Sequence, residues 1–461
     1  MRKRATRKLT NSLTHKFYKQ LIDIFNNEMN KRRIIIHIDE VRRDTISLHL
    51  LGFQLEKLGW DVWYSNRYNL LYLIENVKPN AVTMHNLSTV PPDLILKYSD
   101  RINFYIIPGE FYLTNENVIK TVYLKKNYES VNKIINKVFS WGEYQKRKLI
   151  ELGIFDDTQV EVTGCYRHDL LKICNERNII SKKKQIGFIS NLGAINIYDD
   201  RSRLLAADSL RNCQGRYYPV NRNLEDFYWT YYSTARMTFE IVDKIIFDKK
   251  KNIFYRPHHR ENINGYSYFV QKYANKFFLD YGEFHEFLFG NKNICAFAST
   301  SLLEGLMFDR SVVSLNAINE ERIKEHFNMP NYFYPFLKFC KNPKSVDEAV
   351  ELLTSSESFF VEKNFKEEFD CHVKDFFDHP HSYYSTQKIA EIIDKTCDKE
   401  NIKINSIPLL KIQIESLKKH IAHIAYKKRN LRTNKLNNNF CPWCHKDKVE
   451  KARELFKYME S

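Results

Sequence analysis

Short apolar runs alternate with amphipathic stretches along most of this chain. The run at residues 34–38 is β-branched and almost wholly apolar, which is typical of a strand buried on both faces of a parallel sheet. Helical periodicity follows over residues 45–58. We predict further strands at residues 61–64, 81–84, 102–107, 138–140 and 159–162, and helices at 70–77 and 144–152. This order indicates βαβ units in a doubly wound sheet.

A second series of the same kind begins after the lysine-rich residues 181–184. We predict strands at residues 185–189, 252–255, 294–297 and 311–315, and helices at 225–244, 302–308 and 347–355. The fold class is therefore α/β, with two Rossmann-like doubly wound domains that face each other across a cleft. Ligands of open α/β sheets bind beyond the carboxyl ends of the strands, so the loops there are the first place to seek chemistry.

Both ends of the chain differ from these domains. We divide the chain into a basic N-terminal helix (1–30), a first Rossmann-like domain (31–180), a second Rossmann-like domain (181–398) and a basic amphipathic helical tail (399–461). In the tail, apolar residues recur at helical spacing among lysines, namely Leu410, Ile414, Leu417, Ile421 and Ile424. Such a helix can lie on an anionic membrane surface, pair with another helix or pack on the second domain, and the spacing alone leaves these alternatives open.

Composition narrows the class of protein. The 461 residues are 43% hydrophobic and 14% aromatic, enough for real cores. Nine cysteines without a paired framework favour reduced thiols, and no apolar run approaches the roughly 20 residues of a membrane-spanning helix. We predict a cytoplasmic protein, with a peripheral position on the inner face of the cytoplasmic membrane as an extension. The net charge of +16 favours anionic partners: nucleic acid, lipid headgroups or phosphorylated substrates.

The loop at residues 256–262, directly after a predicted strand, carries the strongest chemical signal. It combines arginine and histidine with polar groups, namely Arg256, His258, His259, Arg260, Glu261 and Asn262. Arginine binds two oxygens of a phosphate, and histidine donates to a third or protonates a leaving oxygen. The alternative is a polar loop whose charges are only solvated.

A second candidate follows another strand and opens a helix. Ser299, Thr300 and Ser301 offer hydroxyls and amides to an anion, and Glu304 one turn later accepts hydrogen bonds from ribose or sugar hydroxyls. An ordinary helix cap is the competing interpretation. In the first domain, Glu110 follows a Pro-Gly turn and is our candidate general base, although surface turns also carry glutamates.

Residues 139–143 and 162–169 resemble the strand-end motifs in the first domain of GT-B surface carbohydrate biosynthesis proteins, and residues 256–262 and 299–304 are similar to their nucleotide-sugar half. The resemblance covers residues 30–395. It implies transfer of a sugar from a nucleotide donor to a lipopolysaccharide or capsule acceptor, without an obligatory metal ion. It places five residues at the cleft or hinge: Gly142, Glu143, Gly164, Arg167 and Asp169.

Kdo transferases, which this chain also resembles, use a CMP-linked donor. Two positions depart from the expected pattern, because Tyr166 and His259 stand where these motifs carry proline. The hypothesis is direct displacement at the anomeric carbon: Glu110 takes the proton of the acceptor hydroxyl, while Arg256 and His258 stabilise the departing phosphate. The nucleotide sugar is a co-substrate, and no other cofactor is expected.

No catalytic metal is predicted either. The acidic pairs at residues 156–157 and 199–200 are interpreted as turns or caps. Cys441 and Cys444 in the tail have the spacing of half a zinc site, but a complete site needs four ligands.

Several functions compete with sugar transfer. A CDP-glycerol-type polyol-phosphate transferase carries a similar Arg-Pro-His loop, and a non-hydrolysing sugar-nucleotide epimerase has nearly the same fold. A non-catalytic binder of sugar nucleotides is a further alternative. The net charge also suggests a nucleic-acid-binding protein, but the basic residues are interspersed with acidic ones and no nucleic-acid-binding motif is present.

Overall fold

The structure is a computed structural model. It describes residues 31–67, 69–109, 116–124, 128–177, 184–192, 196, 224–258, 261–297, 299–319, 335–378, 382–399 and 446–460. The predicted N-terminal helix, the apolar stripe at 410–424 and both tail cysteines lie outside these ranges. Within them, no helix is both long and apolar enough to cross a membrane.

The first domain is built on a six-stranded sheet in which every neighbouring pair is parallel. Its strands are ordered β2-β1-β3-β4-β5-β6 and comprise β1 (Arg33–His37), β2 (Asp61–Ser65), β3 (Ala81–Met84), β4 (Asn103–Ile106), β5 (Lys137–Ser140) and β6 (Val160–Val162). Every residue of β1, β3 and β4 is buried, as the continuous apolar runs predict.

Seven helices connect these strands or follow the last of them: α1 (Val41–Lys57), α2 (Leu70–Val77), α3 (Pro92–Tyr98), α4 (Glu116–Tyr123), α5 (Glu129–Asn132), α6 (Glu143–Glu151) and α7 (Tyr166–Glu176). In α2 the buried residues are Leu70, Leu73, Ile74 and Val77. Their spacing of three and four residues places them on one helical face, and that face packs on the sheet.

The second domain has a five-stranded parallel sheet of order β11-β10-β7-β8-β9. Its strands are β7 (Lys184–Ile189), β8 (Ile253–Arg256), β9 (Phe277–Leu279), β10 (Asn291–Ala296) and β11 (Ser311–Ser314). Its helices are α8 (Leu224–Phe247), α9 (Ser267–Lys272), α10 (Phe284–Gly290), α11 (Thr300–Met307) and α12 (Val346–Thr354). Short 3₁₀ turns occur at Leu87–Thr89, Asp157–Gln159, Ile263–Tyr266, Leu315–Asn319, Pro335–Phe339 and Lys363–Phe365. The prediction of two Rossmann-like parallel α/β domains is confirmed.

The last helices of the chain return to the first domain. They are α13 (Lys366–Phe377), α14 (Ser385–Thr396) and α15 (Lys446–Glu460). The carboxylate of Asp394 on α14 accepts hydrogen bonds from the Arg32 guanidinium and, at 2.9 Å, from the indole nitrogen of Trp60. Helix α15 packs on α1, where Phe456 lies 5.5 Å from Phe53 between ring centroids. The chain therefore crosses between the domains more than once.

Two predicted cleft residues are glycines at these crossings. A Cβ atom on Gly142 would lie 2.4 Å from the carbonyl oxygen of Asp375, so only glycine allows α13 to pack this closely. Gly164 has φ +77°, a left-handed conformation that glycine adopts without steric cost, and a Cβ atom there would lie 2.6 Å from Ser385 Oγ. Both positions thus hold the returning helices against the first domain.

Candidate active site

Charged side chains gather at the carboxyl ends of β1, β3 and β4. The guanidinium of Arg43, in the first turn of α1, donates to both carboxylate oxygens of Asp44 at 2.7 and 2.9 Å. Beside them, the amide of Gly109 donates to His85 Nδ1 at 2.8 Å. Burial would raise the pKa of Asp44, but Arg43 and then Arg167 outweigh it and lower the pKa to about 2. Asp44 is therefore ionised.

The start of α7 joins this group from the carboxyl end of β6. The hydroxyl of Tyr166 donates to Asp44 Oδ1 at 3.0 Å, which fixes α7 against α1. The next residue, Arg167, places its guanidinium carbon 5.1 Å from the centre of a Trp141 ring. That tryptophan is itself held, because its indole nitrogen donates to the carbonyl of Pro108 at 2.9 Å.

The two domains meet at His168 and Glu304. His168 Nε2 lies 3.5 Å from Glu304 Oε1, an ion-pair distance, and the two side chains are only 2% and 13% exposed. Glu304 belongs to α11 of the second domain, whereas His168 belongs to α7 of the first. Glu304, a predicted nucleotide-sugar residue, thus lies beside the turn that carries the predicted cleft residues Arg167 and Asp169, whereas His168 itself was not predicted as a site residue.

The protonation of this pair follows from its surroundings. Burial would lower the pKa of His168, but the Cys165 thiol and the Glu304 carboxylate outweigh it and raise the pKa to about 9. Burial would likewise raise the pKa of Glu304, but His168, Arg167 and Arg43 lower it. The imidazolium and the carboxylate are therefore both charged near neutral pH.

The pair should make the stability of the protein depend on pH. A histidine whose pKa is raised on folding stabilises the folded state fully below its unfolded pKa, and this stabilisation is lost as the pH rises through about 9. Relative to His168→Gln, the wild-type protein should lose on the order of 2 kcal/mol of unfolding free energy from about pH 7 to about pH 10. Urea unfolding at each pH measures this difference.

His372→Gln is the matched control for that experiment. Burial lowers the pKa of His372 to about 4, so this residue is neutral throughout the alkaline range. Its difference from wild type should stay flat over the same interval. Equal pH dependence in the two variants would contradict the charged His168–Glu304 pair.

In the second domain, Glu261 organises the loops that follow β7 and β8. Its carboxylate accepts hydrogen bonds from the Ser190 hydroxyl (2.8 Å), the Tyr266 hydroxyl (2.6 Å) and the amides of Leu192 (2.5 Å) and His258 (3.1 Å). The residue is 2% exposed, and burial raises its pKa. Glu261 thus shapes the predicted nucleotide-sugar loop from beneath.

Arg256 is bound within its own domain. Its Nη1 donates to Asp280 Oδ1 at 3.1 Å and to the carbonyl of Gly282 at 2.7 Å, which ties β8 to the loop after β9. Its neighbour His258 is partly exposed. Asn262 Oδ1 accepts from the amide of Asn264 at 3.0 Å and caps a 3₁₀ turn.

The remaining predicted residues occupy several places. Ser299 is the N-cap of α11, where its hydroxyl accepts from the Ser301 amide at 3.2 Å. Thr300 and Ser301 are partly exposed, and Glu143 is exposed at the start of α6. The catalytic candidate Glu110 lies outside the described residues, as do His259 and Arg260, so their roles stay predictions.

Asp169 fastens α14 to the first domain. Its carboxylate accepts from the amides of Ser385 (2.8 Å) and Thr386 (2.7 Å) and from the Thr386 hydroxyl (2.6 Å). Burial raises its pKa to about 6, although these donors act in the opposite direction. Asp169 therefore holds the start of α14 against the first domain.

One of the two acidic pairs in the sequence, residues 156–157, lies within the described residues. Asp157 forms an ion pair with Lys146 at 2.9 Å, while residues 199–200 lie outside the described ranges. Within the described part of the chain, no three His, Cys, Asp or Glu side chains are arranged to hold a metal ion.

Sequence reasoning missed Arg43, Asp44 and His85. A signal for them exists: polar and charged residues directly follow the apolar runs of β1 and β3, where parallel strands end at one edge of the sheet. Their proximity to Arg167 depends on the packing of α7 on α1, which no local pattern encodes.

No family model and no curated protein matches the chain by sequence. Solved structures resemble it in fold. The UDP-GlcNAc 2-epimerase of Methanocaldococcus jannaschii is 14% identical with a TM-score of 0.46, over 79% of this chain and 99% of that one. S. aureus MnaA, solved with UDP, is 13% identical with a TM-score of 0.47, over 82% of this chain and 100% of that one.

A variant of the wall teichoic acid polymerase TagF is 12% identical with a TM-score of 0.47, over 83% of this chain and 98% of that one. Identities of this size concern the fold and not the activity. The two Rossmann-like parallel α/β domains meet at α7 and α11.

Proposed function

We propose that this protein is a GT-B glycosyltransferase that moves a sugar from a nucleotide-activated donor to a surface glycan or glycolipid. The contact between His168 and Glu304 carries the proposal, because it joins the strand-end loops of both domains in one charged, largely buried place. Such a place, between two Rossmann-like domains, is where ligands of this architecture bind.

The chemistry of the described side chains suits such a transfer. Glu304, one turn into α11, is an ionised carboxylate, and in this proposal it accepts hydrogen bonds from the hydroxyls of a donor. Arg167 and His168 supply positive charge beside it, which suits a site for anionic substrates. In this proposal Glu110 is the general base and His258 assists the leaving group.

Donor binding to the whole protein tests the proposal. A thermal-shift panel of CMP-, CDP-, UDP- and GDP-linked donors should give stabilisation by one nucleotide class, with a cytidine nucleotide such as that of CMP-Kdo expected. At about 100 times its dissociation constant, a ligand adds about 2.7 kcal/mol to stability. Glu304→Gln should abolish the shift, and the control Glu351→Gln, at an exposed position on α12, should keep it.

The alternatives give different results in the same assay. A polyol-phosphate transferase would respond to CDP-glycerol, whereas an epimerase would respond to a UDP-sugar and convert it without an acceptor. A nucleic-acid-binding protein would bind a random oligonucleotide and shift with none of the donors. Absence of any donor shift in the wild-type protein would remove the proposed function.

A further inference from the structure

The guanidinium of Arg167 lies over an aromatic ring of the first domain. Its guanidinium carbon lies 5.1 Å from the centre of a Trp141 ring. Trp141 is 4% exposed and anchored at both ends, because its indole nitrogen donates to Pro108 and its amide donates to Gln145 Oε1 at 2.8 Å. An arginine stacked on an aromatic ring keeps its in-plane N–H edges for a further partner.

The Arg167 side chain has a hydrogen-bond donor without an acceptor among the described residues. Its Nε is buried and makes no hydrogen bond there, whereas the neighbouring His168, which is 1% exposed, has its Nε2 in the 3.5 Å ion pair with Glu304. A buried donor without a partner costs about 1–3 kcal/mol. The buried Nε–H of Arg167 therefore fits a ligand that brings an acceptor.

The charged groups around Arg167 indicate whether that ligand is an anion or a cation. Arg43 is neutralised by the two-fold contact with Asp44, whereas Arg167 forms no ion pair with the described carboxylates. Both Arg167 and His168 lie in the first turn of α7, an eleven-residue helix whose N-cap residue Cys165 makes no capping hydrogen bond to the amides of that turn. The amides of this turn add positive potential, so the unsatisfied group is suited to an anion.

We propose that Arg167 and His168, with the first turn of α7, bind an oxyanion, a phosphate or a carboxylate, that belongs to the acceptor. The assignment to the acceptor rests on the proposed function, in which the first domain receives the acceptor and Glu304 of the second domain receives the donor. The glycan that this protein extends therefore carries a negative charge close to the hydroxyl that receives the sugar.

Inorganic phosphate is the probe, titrated into the full-length protein and compared with chloride at equal ionic strength by calorimetry. Arg167→Gln should weaken phosphate binding at least tenfold, and Arg167→Lys should fall between, because lysine keeps the charge and loses the planar fork. The matched control is Arg147→Gln: this arginine also lies over an aromatic ring, 5.7 Å from that of Tyr144, but pairs with Asp375 at the surface.

Phosphate binding that is absent in the wild type, or equal in Arg167→Gln and Arg147→Gln, overturns the site. A second titration, with the nucleotide identified by the donor panel at saturation, decides the source of the oxyanion. Unchanged phosphate affinity supports the acceptor, and competition overturns that assignment in favour of the donor. If no nucleotide binds, the proposed function and the acceptor assignment are both wrong. The phosphate titration then still tests whether Arg167 contributes to an oxyanion site.

Discussion

Glu261→Ala should destabilise the second domain by about 4 kcal/mol. The carboxylate accepts hydrogen bonds from the Ser190 and Tyr266 hydroxyls and from the amides of Leu192 and His258, so alanine deprives both amides of this acceptor and leaves the two hydroxyls to bond only with each other, at 3.1 Å. Urea unfolding measures the loss. Hydrogen exchange should locate it, with faster exchange at the Leu192 and His258 amides.

Two further variants serve as comparisons for the stability of Glu261→Ala. Glu261→Gln keeps one acceptor oxygen and turns an NH₂ group toward the remaining donors, so about half of the loss is expected. Glu351→Ala removes an exposed glutamate of the same domain and should change stability by less than about 0.5 kcal/mol. A loss below about 1 kcal/mol for Glu261→Ala would show that the loops after β7 and β8 do not depend on this carboxylate.

Asp169→Ala should destabilise the protein by about 3 kcal/mol and loosen α14. Its carboxylate is the acceptor for the Ser385 amide and for two donors of Thr386, and the three sites become unsatisfied together. Urea unfolding gives the size of the effect. Hydrogen exchange along Ser385–Thr396 shows whether this helix separates before the rest of the domain.

Asp370→Ala is the control, because Asp370 is 58% exposed and pairs with Lys366 on the surface of α13. Such a pair is worth about 0–1 kcal/mol, so little change is expected. If the amides of α14 exchange at the wild-type rate in Asp169→Ala, Asp169 does not hold α14 in place.

The sheets were predictable because buried parallel strands consist of nearly continuous apolar residues, as in β1, β3 and β4. Strand β9 was not predicted. It has three residues, lies at the sheet edge and leaves Phe278 37% exposed, so its pattern does not resemble a buried strand. Helices α3, α4 and α5 were missed as well, and α5, with four residues, is too short to show helical periodicity.

The candidate site was predictable only in part. The sequence marked Arg167 after β6 and Glu304 in α11 but not His168, and the approach of His168 to Glu304 depends on the packing of whole domains. The same limit applies to Arg256, which looks in the sequence like a phosphate ligand. Its pairing with Asp280 arises because β8 and β9 are neighbours in the sheet, and β9 itself was not foreseen.

Helix α15 touches both halves of the molecule. Its Lys448 pairs with Glu283 at 2.7 Å and its Lys451 pairs with Glu286, both acidic residues of the second domain, while Glu460 pairs with Lys57 of α1. Rotation of one half away from the other must stretch these ion pairs. Salt screens such pairs where they are exposed, so the hold of α15 on the two halves should weaken as the ionic strength rises.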